Sequence, residues 1–156
     1  MVATILVAGA VSFYCFSLRS FVSMANYTDL NNQSRNASDV LSRDLRSAIY
    51  VINLTTNQLV LYGPDKINVT YTFDPLARTL TRVKAGESQT LLKGLDTVTF
   101  SLYQRPATNS AYNQFPIATP INAKIVAAQW SCSRIVQGPE TDSETIQGAM
   151  VTLRNQ

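Results

Sequence analysis

The sequence predicts an α+β protein, with one long N-terminal helix laid against an antiparallel β-sheet. Three observations predict it. The first eighteen residues, MVATILVAGAVSFYCFSL, carry no charge. From Leu30 onward apolar residues recur at helical spacing. After Tyr50 the chain turns into short β-branched and aromatic runs punctuated by Gly, Pro and Asn. An apolar membrane-length half-helix, an amphipathic continuation and a sheet come in that order.

The opening run is about 27 Å long as a helix, the lower limit for crossing a bilayer. Arg19 is its first charge, and Phe21, Val22, Met24 and Ala25 extend the apolar character beyond it. A long Arg19 stem snorkels in such a setting. Three readings compete: a cleavable signal peptide, a buried core helix and a retained anchor. Ala8-Gly9-Ala10 offers a small-x-small cleavage site, yet no basic residue precedes the run, and Phe13, Tyr14 and Phe16 continue past that site. A helix apolar on all sides belongs in lipid more often than in a core. The retained anchor, over residues 1–25, is the expectation, with residues 26–156 as the globular part. Arg19, Arg35, Arg43 and Arg46 all lie C-terminal to the run. By the positive-inside rule alone they would put the C-terminal portion in the cytoplasm.

No proline occurs before Pro64, and Gly9 is the only glycine before Gly63. Nothing therefore forces a break, and one helix of about 75 Å over residues 1–50 is expected. Leu30, Ala37, Leu41, Leu45 and Ala48 are spaced 7, 4, 4 and 3 apart. They fall within about 80° of one another and form the face that packs on the sheet. Arg35, Asp39, Arg43 and Arg46 share the opposite arc, which reads as a solvated face. Asp44 lies at the margin of the apolar stripe. The polar stretch Asn31–Asn36 is the least helix-favouring and the place where a bend or fraying is expected.

Tyr50–Thr55 and Gln58–Tyr62 read as a hairpin around Thr56-Asn57. After the Gly63-Pro64-Asp65 turn, Lys66–Asp74 alternates, with Ile67, Val69, Tyr71 and Phe73 on one face. Thr79–Lys84, Gln89–Lys93 and Leu95–Tyr103 come next, separated by Pro75-Leu76-Ala77 and Ala85-Gly86-Glu87. Arg105–Pro120 reads as a loop. Ala123–Val136 and Thr145–Leu153 supply two more strands around a Gln137–Ser143 loop. Cys132 falls inside a strand as a small buried hydrophobe.

Composition narrows the function. Thirteen Lys plus Arg against ten Asp plus Glu give net +3, too little for a nucleic-acid surface. Only 15% of the residues are charged, and there is no histidine. Imidazole-based triads, imidazole metal sites and a histidine pH switch are thereby removed. Cys15 and Cys132 lie 117 residues apart, with no second pair to suggest a zinc or disulfide framework. Glu140, Asp142 and Glu144 form a small acidic loop, too thin for a calcium site beside a solvated loop. Five N-x-S/T sequons, at Asn26, Asn32, Asn36, Asn53 and Asn68, matter only if the source glycosylates them. No catalytic residues, cofactor site or metal site are expected. The chain does not read as an enzyme.

Taken together, these elements resemble the type IV pilin-like family. The start, Met1–Val7, is similar to the apolar segment just after the conserved glutamate of the prepilin signature. Ser38–Ala48, with sequence SDVLSRDLRSA, resembles the amphipathic continuation. Val69–Asp74, Thr79–Arg82, Leu91–Phe100 and the closing Val151–Asn155 resemble the J-type minor pseudopilins of type II secretion. PilW-like minor pilins look similar. The likeness spans nearly the whole chain, though each motif is degenerate. It implies a subunit that is first anchored in the cytoplasmic membrane and then extracted into a filament. Val2, Ile5, Leu6, Val7, Gly9, Val11, Phe13 and Phe16 would be anchor first and filament core afterwards. The globular part would face the periplasm or the cell exterior, opposite to the arginine count. Implied partners are other pilin-like subunits in a filament or tip complex, the membrane and secreted cargo, with no nucleic acid. The family's cleavage glycine and glutamate are not in this sequence: either they lie upstream of Met1, or the chain is not processed by a prepilin peptidase. A membrane-tethered binding or adhesion domain that never polymerises is the alternative.

Overall fold

The computed structural model describes residues 2–104, 116–135 and 141–153, with residues 2, 135 and 141–147 described by their backbone alone. One α-helix, α1 (Val2–Ser47), is succeeded by eight strands: β1 (Tyr50–Leu54), β2 (Gln58–Tyr62), β3 (Asn68–Asp74), β4 (Thr79–Lys84), β5 (Glu87–Lys93), β6 (Leu95–Tyr103), β7 (Ile125–Ile135) and β8 (Thr141–Thr152). A 3-10 turn, η1 (Pro120–Asn122), precedes β7. The architecture is α+β, as the pattern of elements predicts.

Helix α1 is unbroken over 46 residues, about 69 Å. The helix neither breaks nor frays at Asn31–Asn36. Leu30 and Ala37 flank that stretch and are buried, and Ser34 within it is fully buried against a strand. Tertiary packing overrides the weak local propensity. Ala48 lies just past the last helical residue, yet its N–H still bonds the Asp44 carbonyl at 2.9 Å.

The strands form two antiparallel sheets rather than one. β1 to β5 make a five-stranded meander in sequence order, and β6-β7-β8 make a second sheet of three. The division falls at Gly94, whose φ of +73° lies in the left-handed region. A Cβ there would sit 2.8 Å from the Ser133 carbonyl oxygen, so only glycine fits this corner. The corner is tied on both sides. Leu95 N–H bonds the Arg78 carbonyl at 2.9 Å, and Ser133 N–H bonds the Gly94 carbonyl at 2.8 Å. Arg78 itself has a positive φ of 53°. Its guanidinium donates to the Ser133 hydroxyl at 2.9 Å and carbonyl at 3.1 Å, and pairs with Asp96. One side chain thus holds the seam between the sheets.

Other local expectations are refined. Val69, Tyr71 and Phe73 alternate inward on β3. Asp74 accepts from the Leu76 and Ala77 N–H groups and closes the turn before β4. β8 begins at Thr141, so Asp142 and Glu144 belong to a strand paired with β7 and not to a loop. Glu140 and most of the Arg105–Pro120 loop lie outside the described residues. The core gathers around Trp130, Tyr71, Leu59, Leu61, Leu92 and Leu95, roofed by Leu30, Leu41 and Leu45 of α1.

Candidate functional site

The functional surface to be explained is α1 itself, which passes through two environments. From Ala3 to Val22 every residue is exposed. Ile5, Leu6, Val7, Val11, Phe13 and Phe16 are all open, with Phe13 at 73%. Val2 opens the helix, and its side chain is outside the description. A Cβ added at Gly9 would meet nothing within 4 Å. The globular part covers none of this apolar surface: the most apolar 18-residue window has mean hydropathy 1.7 and is 0% buried. That excludes the buried-core-helix reading. The helix is long and apolar enough to span a membrane.

Toward its C-terminal end the same helix lies on the sheets. Leu30, Ala37, Leu41, Leu45 and Ala48 are each no more than 1% exposed. Arg35, Asp39, Arg43 and Arg46 are exposed on the other side. The helix runs over β8, β7 and β5, and three polar ties fix its position.

The strongest tie is Asp44, which spacing placed only at the margin of the stripe. It is 8% exposed and sits between two sheet residues. Arg82 of β4 forks onto it, Nε to Oδ2 at 2.6 Å and Nη2 to Oδ1 at 3.1 Å, while the Tyr71 hydroxyl of β3 donates to Oδ2 at 2.6 Å. A buried carboxylate is tolerated when its lone pairs are filled in this way. Burial, then the neighbouring Asp44 carboxylate, hold the Tyr71 hydroxyl well above the ordinary phenol range. The hydrogen bond to Asp44 raises Arg82. This triad bonds and positions; it offers no free nucleophile.

A second tie lies under the middle of the helix. Trp130 Nε1 of β7 donates to the fully buried Ser34 hydroxyl at 3.1 Å. Cys132, next inward on the same strand, is buried, and that burial pushes its thiol up to about 11. It is a packing residue with little thiolate at neutral pH.

The third tie is where the helix leaves the globular part. Arg134 bonds Asp29 at 2.6 Å and reaches Asn26 at 3.5 Å. Gln33 Nε2 also donates to Asp29, and this bond is the main reason its carboxyl sits below the ordinary range.

None of these sheet partners was singled out from sequence. Their one available signal was polar residues, Ser34 and Asp44, inside or beside an apolar stripe. Elsewhere, an open groove of about 610 Å³ runs between β1 and η1, lined by residues that include Tyr50, Ile52, Ile121 and Lys124. Among the described residues, no three His, Cys, Asp or Glu side chains gather as metal ligands. No family model and no curated protein matches the chain.

Proposed function

We propose that the protein is a minor pilin-like subunit, a pseudopilin of type II secretion or a minor pilin of a type IV pilus, that works by packing and not by catalysis. One observation carries the reading: a single unbroken helix is wholly uncovered and apolar in its outer half and clamped to a sheet domain in its inner half. Such a helix needs an apolar surround twice, in lipid before assembly and among neighbouring helices afterwards. Val2, Ile5, Leu6, Val7, Val11, Phe13 and Phe16 supply that surface, and the open space at Gly9 lets a second helix approach closely. The ties at Asp44, Ser34 and Asp29 keep the globular part from swinging about its stalk. In this reading the globular part lies outside the cytoplasmic membrane and meets neighbouring subunits and secreted cargo.

Crosslinking in native membranes, then detergent extraction and identification of the partners, tests this. Pilin-like subunits joined to the chain through its outer helix are the expected result. Extraction as a lone membrane-bound chain would overturn it in favour of a tethered binding domain that does not polymerise. The groove beside β1, with exposed Tyr50 and Ile52 along an edge strand, is the observation that favours that second reading.

A further inference from the structure

The exposed face of the inner half-helix holds cations that the described residues leave unanswered. Arg35, Arg43 and Arg46 lie on the arc opposite the buried stripe, and among the described residues none makes an ion pair. The other described ion pairs match one cation with one anion: Arg78 with Asp96, Arg82 with Asp44, Lys84 with Asp65, and Arg134 with Asp29. The arc has three arginines against Asp39, so it carries +2 of the chain's net +3. Arg43 and Arg46 also stand three residues apart, a like-charge spacing that works against an isolated helix. Between them and Asp39, Ser42 and Ser47 lies a shallow polar depression of about 550 Å³.

We propose that this arginine stripe is a docking face for an acidic helix surface of a different pilin-like subunit, with carboxylates at matching helical spacing. The proposal rests on the filament reading above and names the partner's chemistry. Charge complementarity calls for acids, and a straight stripe of guanidiniums suits forked carboxylate pairing along a parallel surface. A second copy of this chain is a poor match. Among the residues whose side chains are described, its own acids are engaged in the four pairs above or, at Asp74, by backbone N–H groups, apart from Asp39 on α1 and Glu87 on β5; Asp142 and Glu144 stand on strand β8, so among the described residues no helix of the chain presents a row of unpaired carboxylates. Anionic lipid is out of reach. Arg35 to Arg46 lie about 24 to 40 Å further along the helix than Arg19, several times the Debye length of about 8 Å at physiological salt.

A photo-crosslinking amino acid at Ser42, in the stripe, and separately at Val7, in the anchor, tests the proposal in the full-length chain in its native membrane. At Ser42 the expected product is a pilin-like subunit joined through a segment bearing carboxylates three or four residues apart. The triple variant Arg35→Glu/Arg43→Glu/Arg46→Glu should cut that product about tenfold, whereas the triple lysine variant keeps most of it and the Val7 product persists. Trp130 fluorescence verifies that the variants stay folded. An unchanged Ser42 yield on charge reversal overturns the proposal. So does a product with lipid, with a second copy or with a non-acidic segment, and so does a Val7 product without a Ser42 product, which leaves the filament reading standing. Failure to crosslink pilin-like subunits at either position overturns the filament reading, and the stripe proposal with it.

Discussion

The two halves of α1 have the same backbone and opposite fates. In the outer half Phe13 is 73% exposed, while in the inner half Leu45 is 0% exposed. The inner half buries Ser34 and Asp44 and supplies each with a bond from a strand. Secondary structure is therefore not what separates the uncovered half from the packed half. An all-round apolar helix laid on a single layer would still leave half of its apolar surface facing water. A striped helix gains most of its burial from one layer and needs no lipid.

Asp44→Ala should break this comparison most sharply. It would leave the Arg82 guanidinium and the Tyr71 hydroxyl partly buried without their acceptor, a loss of about 3 to 5 kcal/mol for a buried pair. Urea unfolding of the full chain in detergent, monitored by Trp130 fluorescence, measures it. A loss below about 1 kcal/mol would mean that the tie is the exposed kind, worth little.

The buried thiol tests the inner half through pH. The folded chain holds the Cys132 proton up to about 11 against 9.0 for an ordinary thiol, so its contribution to stability is full below pH 9. It is lost as pH rises through that interval, by about 2 to 3 kcal/mol. Tyr71, also raised, adds to the loss above pH 10. Unfolding curves taken from pH 8 to about pH 11 should show this decline, and Cys132→Ala should make it shallower. An equally steep decline in that variant would assign the effect to other groups.

The outer half should respond least. Phe13→Ala is expected to change the unfolding free energy of the detergent-solubilised sheet domain by no more than about 0.5 kcal/mol, as for exposed sites generally. The same change at Leu41 would cost about 2 to 5 kcal/mol. A Phe13→Ala effect of that size would place the outer half in the folding unit and erase the distinction.

Much of this was legible in the chain. The five stripe residues from Leu30 to Ala48 needed only their spacing, and β6 has the bounds, Leu95–Tyr103, that the sequence predicts. What could not be read arises from partners distant in sequence. Asp44 looked marginal because Arg82, 38 residues on, supplies the charge that buries it. Ser34 looked like a helix weakness because Trp130, 96 residues on, fills its bond. The start of β8 was misplaced because an acidic, polar run resembles a loop until β7 pairs with it.

The sequence by itself determined the helix, its charge-free outer surface and the strand-rich remainder, because periodicity and composition are local properties that no fold can move. Only the tertiary structure decided that the strands part into two sheets at Gly94, that Arg78 holds the seam, and that Asp44 belongs inside. Those outcomes depend on which backbone carbonyl, guanidinium or hydroxyl arrives from elsewhere in the chain to satisfy a buried polar group, and local pattern carries no record of that.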